Sequence, residues 1–183
     1  MLKLTVFDEF MVEKKIGSEN GFSLLEVLIA IFVVSIGLLG AAGMYTRAIA
    51  FSLDTERRQV AAMLAGEMLE IMRSDVVRII GRDGSPRTDL GGYAKASGVT
   101  LAPSTDEACA DVLPDSAADR LNCWAGRAKG LIPDLTDELI NNQFVISQGA
   151  GIVSIQVAWP VKAGECLDGS NNDYCIYKLQ SRL

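Results

Sequence analysis

The chain has 183 residues, room for one domain with an appendage, and 17 basic residues against 23 acidic ones give it a net charge of −6. No Lys/Arg cluster occurs in the second half, so no nucleic-acid partner is expected beyond what an isolated basic groove could hold. There is no histidine, which removes Ser-His and Cys-His catalysis and the commonest metal ligand; no catalytic residue and no cofactor is expected.

Residues 1–21 hold three Lys and four acidic groups, leaving −5 of the −6 to the remainder. The apolar run that follows, residues 22–46, is 25 residues long. As a helix it would reach about 37 Å, enough to cross a hydrocarbon core of about 30 Å. It is too long for the apolar core of an ordinary signal peptide, and no small-residue cleavage site follows it. One full charge, Glu26, sits near its start. A carboxylate inside a bilayer costs roughly 2.5–3.5 kcal/mol on insertion scales, so it needs a partner or a purpose. One reading places it at the headgroups, favoured by the positive end of the helix dipole.

The other reading comes from the residues around it. Gly21-Phe22-Ser23-Leu24-Leu25-Glu26, followed at once by the apolar run, resembles the processing motif of type IV pilins and type II secretion pseudopilins. The resemblance implies that a membrane peptidase cuts after Gly21, removing a cytoplasmic leader, 1–21, and that Phe22 becomes the N-methylated new terminus. It also gives Glu26 a partner, the Phe22 amine of a neighbouring subunit, each charge offsetting the other's desolvation in a low-dielectric helix bundle. Family leaders are usually net basic, and this one is not. Arg47, Arg57 and Arg58 follow the span, so charge alone does not orient it.

From residue 47 to about 80 the chain reads as an amphipathic continuation, 47–82. Leu53, Val60, Leu64, Met68, Ile71 and Met72 share one side, and Asp54, Arg58, Glu70 and Arg73 lie mostly on the other, with Arg57 an intruder. One continuous helix and two helices broken near 47–52 both fit the propensities; the resemblance implies the former. Gly37, Gly40 and Gly43 recur every three residues. They suit either close helix packing or, as in pilin fibres, local unwinding.

Glycine and proline at 81–86 end the helix, and a loop runs to Asp115. Asp115-Ser116 caps a short helix over 117–131 that carries Cys123 and Trp124. Two strands, 143–149 and 151–159, are joined by a turn at 149–151, and a third covers 174–180. In the second, Val153, Ile155, Val157 and Trp159 alternate with Ser154, Gln156 and Ala158, the pattern of a sheet with one buried face. The four cysteines, Cys109, Cys123, Cys166 and Cys175, all follow the span, which suggests disulfides in an oxidising compartment. Four cysteines allow three connectivities; short separations favour Cys109–Cys123 and Cys166–Cys175. Between the last two, Asp168, Asn171, Asn172 and Asp173 form a polar loop that reads as a solvated turn. Its spacing misses the calcium-loop pattern, so no metal is expected.

The expected fold is therefore α+β: a long N-terminal helix, transmembrane in its first half, packed on a small antiparallel sheet head, 83–183, with a C-terminal disulfide loop. Within the superfamily, the start, the segment 62–73 and the segment 118–124 are most similar to PilV-type minor pilins. That resemblance implies a single-pass inner-membrane protein with a periplasmic head, and later a subunit at or near the fibre tip. Its partners would be the prepilin peptidase/N-methyltransferase, the pilus assembly platform and other minor and major pilins, with effects on adhesion and twitching motility. A minor pseudopilin of type II secretion shares the start. A membrane-anchored periplasmic binding protein or enzyme and a DNA-uptake minor pilin remain as rivals.

Overall fold

The computed structural model of the protein describes residues 21, 23–105, 109, 114–166 and 168–183. The chain divides into two compact units, the first ending at Met44 and the second spanning Tyr45–Leu183. In chain order the elements are α1 (Leu24–Ser74), α2 (Val76–Ile79), a 3-10 turn (Leu90–Gly92), α3 (Ala117–Leu131), α4 (Asp137–Gln143) and strands β1 (Val145–Gly149), β2 (Ile152–Pro160) and β3 (Tyr174–Ser181).

α1 is one helix in its hydrogen bonding, with no break at 47–52. Ser23 starts it, its hydroxyl accepting from Leu25 N at 3.3 Å. Gly37, Gly40 and Gly43 are all helical. α1 ends at Ser74, a few residues before the expected Ile80; Asp75, at φ −115° and ψ 30°, separates it from the single turn of α2.

In the second unit, Ala61, Leu64, Ala65, Met68, Leu69 and Met72 of α1 are buried. They meet Trp124 of α3, Phe144, and Ile155 and Trp159 of β2 in one core. Burial on this scale stabilises by roughly 1.5–3 kcal/mol per large apolar side chain. Polar bonds fix how these elements seat. Trp124 Nε1 donates to the Leu64 carbonyl at 2.9 Å, tying α3 to α1. Arg120 of α3 donates to Asp75 Oδ2 at 3.1 Å and to the Tyr93 hydroxyl at 2.8 Å, holding the end of α1 to the 3-10 turn region.

α3 begins as expected, with Ser116 accepting from Asp119 N. Its Gly126 lets the preceding loop pass closely: a Cβ there would collide with the Ser104 carbonyl. α4 was not anticipated from the sequence, although Thr136, accepting from Leu139 N, and the acidic pair Asp137-Glu138 form an ordinary helix start.

The sheet is antiparallel with order β1-β2-β3. Ala150 and Gly151 form the two-residue turn of the β1–β2 hairpin, both at positive φ, 52° and 77°. Glycine suits that geometry; alanine adopts it at a cost. Two expectations need correction. β1 starts at Val145 because Gln143 closes α4 and Phe144 caps it. β2 is buried on more than one face: Ser154 and Ala158 are buried along with Val153, Ile155, Val157 and Trp159. The reason is positional, since β2 is the central strand and α4 lies against it.

The cysteines pair as Cys109–Cys123 and Cys166–Cys175, with Cα atoms 5.5 and 5.6 Å apart. The first ties the loop before α3 to α3 itself. The second closes the C-terminal loop onto β3, opposite Trp159 of β2.

Candidate functional site

The residues singled out for processing and assembly lie at the start of α1. Gly21 is exposed, and a Cβ added there would meet nothing within 4 Å. Phe22 lies outside the described residues, as do residues 1–20. Glu26 is exposed in the first turn of α1, its amide bonded to the Ser23 carbonyl at 2.9 Å. A carboxylate in the first turn of a helix is favoured by the positive end of the dipole.

After Glu26 the helix surface is apolar and open. Leu28, Ile31, Phe32, Leu38 and Leu39 are each more than half exposed, and the most apolar stretch has no buried residue. Among the described residues this is the one helix long and apolar enough to cross a membrane. Such a surface suits lipid or other helices, not water.

Residues 17–42 match the family model of the prokaryotic N-terminal methylation motif. The match covers Gly21, Phe22 and Glu26 and most of the apolar run. This is the prepilin signal of type IV pilin-like proteins, pilins and pseudopilins alike. It implies processing by a prepilin peptidase and assembly with other pilins. Signal and apolar helix together point to membrane anchoring. No curated protein and no solved structure matches the chain.

At two places in the second unit, side chains sit where the sequence did not place them. Asp54, expected on the polar side, is 4% exposed, while Leu53, expected in the apolar stripe, is 49% exposed. The cause is Trp159, whose buried indole N–H needs an acceptor; Asp54 Oδ1 supplies it at 2.9 Å. Arg58, also expected outside, is half-buried, with its guanidinium carbon 6.0 Å from the centre of the Trp159 ring. Arg57 donates to the Pro160 carbonyl at 2.7 Å.

Lys95 is the second surprise. Only 1% of it is exposed, in a segment, Tyr93-Ala94-Lys95-Ala96, that reads as loop. Its backbone exchanges both bonds with Ile146, adding a bridge to the free edge of β1. Its Nζ donates to the carbonyls of Phe144 (2.7 Å), Asn141 (2.8 Å) and, longer, Ala96 (3.4 Å). The ammonium thus serves the orphan carbonyls at the end of α4, where the helix dipole favours a cation. Burial pushes its pKa down to about 8. Glu67 is pushed up by burial, against the Arg127 guanidinium 3.1 Å away.

Asp168 accepts from Ser170 N at 2.9 Å, an Asx turn, and that bond chiefly holds its carboxyl below the usual range. Among the described residues, no three His, Cys, Asp or Glu side chains gather as metal ligands. The arrangement is thus suited to anchoring and packing; none of the clusters described so far pairs a nucleophile with a base.

Proposed function

We propose that the protein is a minor pilin of the type IV pilus, PilV-like, which helps to initiate assembly and sits at or near the tip. The observation that carries this reading is the methylation motif at 17–42, running directly into an exposed apolar helix. In this reading residues 1–21 are a cytoplasmic leader cleaved after Gly21, and Phe22 is methylated. Residues 22–46 then form the membrane and assembly helix, 47–82 continue it, and 83–183 form a periplasmic head. The protein acts through its partners, not as an enzyme. The two disulfides support an oxidising location for the head.

Glu26 is the assembly residue. Its exposure leaves it accessible to a neighbour's Phe22 amine. Glu26→Ala should leave processing and insertion intact, and remove an insertion cost of roughly 2.5–3.5 kcal/mol. It should nevertheless deplete the protein from sheared pili while the membrane pool persists. Immunoblots of the two fractions test this. Wild-type amounts of the variant in the fibre would make Glu26 a tolerated interfacial charge. Absence of the native protein from pili, with a secretion defect on deletion, would assign it to type II secretion instead.

A further inference from the structure

The second unit contains a buried carboxylate whose bonding is half complete. Asp54 Oδ1 accepts from the Trp159 indole, but Oδ2 is buried with no hydrogen-bond partner. The cation one turn along α1 does not serve it: Arg58 lies over the Trp159 ring, its own Nε is buried without a partner, and no ion pair joins the two. Arg57 is committed to the Pro160 carbonyl. A buried carboxylate oxygen left in this state is costly and rare in native folds.

Asp54 also lines a cleft of about 420 Å³ between α1, the loop after α3 and the loop after β2. We propose that this cleft receives a cationic side chain, a lysine ammonium or an arginine guanidinium, presented by a partner protein, with Asp54 as the inner acceptor. Charge-assisted donors make the strongest bonds to a carboxylate, and a desolvated setting strengthens them. Leu53, Pro160 and Val161 supply apolar wall for the methylene stem of such a residue. The cleft lining carries three carboxylates, Asp54, Asp134 and Glu165, against two cations, Lys162 and the Arg57 guanidinium that is turned to the Pro160 carbonyl, so the acidic groups hold a majority of one. A divalent metal is a poorer fit, because these acidic groups do not converge as a ligand set. The inference stands on the second unit alone and does not depend on assembly into a fibre.

The chain contains only two tryptophans, and both indoles are informative. That of Trp159 is bonded to Asp54 itself, while that of Trp124 is bonded to the Leu64 carbonyl and serves as the reference. The full chain, with 15N-labelled tryptophan in detergent micelles, is titrated with Nα-acetyl-lysine methylamide, its arginine counterpart, the neutral norleucine analogue, ammonium chloride and calcium chloride. The basic derivatives should give a saturable shift of the Trp159 indole resonance with Trp124 still. Norleucine should be silent. Asp54→Asn retains an acceptor for Trp159 and should abolish the shift. Neutralising the mouth with Asp134→Asn and Glu165→Gln together should weaken binding by about threefold or more. The proposal is overturned by no shift, by a shift equalled by norleucine, ammonium or calcium, or by a shift that survives Asp54→Asn. Should Asp54→Asn also move Trp124, the mouth variants decide, and unchanged affinity there overturns it.

Discussion

Lys95 makes the stability of the head rise with pH through the alkaline range. Its folded pKa is about 8, against an ordinary value of 10.5. Between those values the unfolded chain holds a proton that the folded chain has released, so stability rises with pH. The whole shift corresponds to about 3 kcal/mol at 1.36 kcal/mol per pKa unit. That figure is an upper bound, because the three carbonyls on Nζ favour the ammonium and oppose the effect of burial. From pH 7 to pH 9 the linkage integral gives a gain of about 1 kcal/mol. Lys95→Met supplies the comparison. It leaves the Asn141 and Phe144 carbonyls unpaired and should be less stable at every pH, by roughly 1–3 kcal/mol. More telling, the gap between wild type and variant should widen by about 1 kcal/mol between pH 7 and 9. Guanidinium unfolding of the full chain in detergent, followed by tryptophan fluorescence, measures it. Disulfide exchange does not confuse the assay, since among the described residues there is no free cysteine. A gap that is flat or narrows with pH would refute the burial argument.

Two other substitutions probe the fold. Gly126→Ala should destabilise the head by about 2–3 kcal/mol or more, because the clash is with backbone at Ser104 and cannot be relieved by a rotamer change. Gly66→Ala, also helical but with nothing within 4 Å of the added Cβ, should be neutral or stabilising by up to about 1 kcal/mol, and unfolding midpoints of the pair check the contrast. Replacing Cys166 and Cys175 together by Ser should cost about 2.5 kcal/mol by loop-closure entropy for a separation of 9 residues. Reduction of a Cys109→Ser/Cys123→Ser variant should give a matching decrement.

The parts of this fold that were legible in the sequence are those set by local pattern. α3 starts at the Ser116 cap and ends at Leu131 as expected, and the three strands lie where alternation and turn residues put them apart from the later start of β1 and small shifts at other ends. The C-terminal disulfide loop follows the same logic, whereas propensity left a break in the long helix near 47–52 open and only the resemblance implied its continuity. What escaped depends on tertiary partners. Nothing local marks Lys95 as buried; its reason is the end of α4, 46 residues away at Asn141. Asp54 is inside because of Trp159, 105 residues away. By helical spacing alone Leu53 and Asp54 simply exchange roles. α4 was legible from Thr136-Asp137-Glu138 and was missed because its seven residues show too little apolar periodicity. The motif at Gly21 to Glu26 was plain in the sequence, and a signal proposed to be read by a peptidase need leave no trace in packing.

The central claim is that this chain is a processed prepilin, and intact-protein mass spectrometry addresses it most directly. Expressed in a host with pilus machinery, the protein should lose residues 1–21 and begin with Phe22 carrying one added methyl group. Gly21→Leu should block that loss. A native protein retaining residues 1–21 in the presence of an active prepilin peptidase would contradict the account.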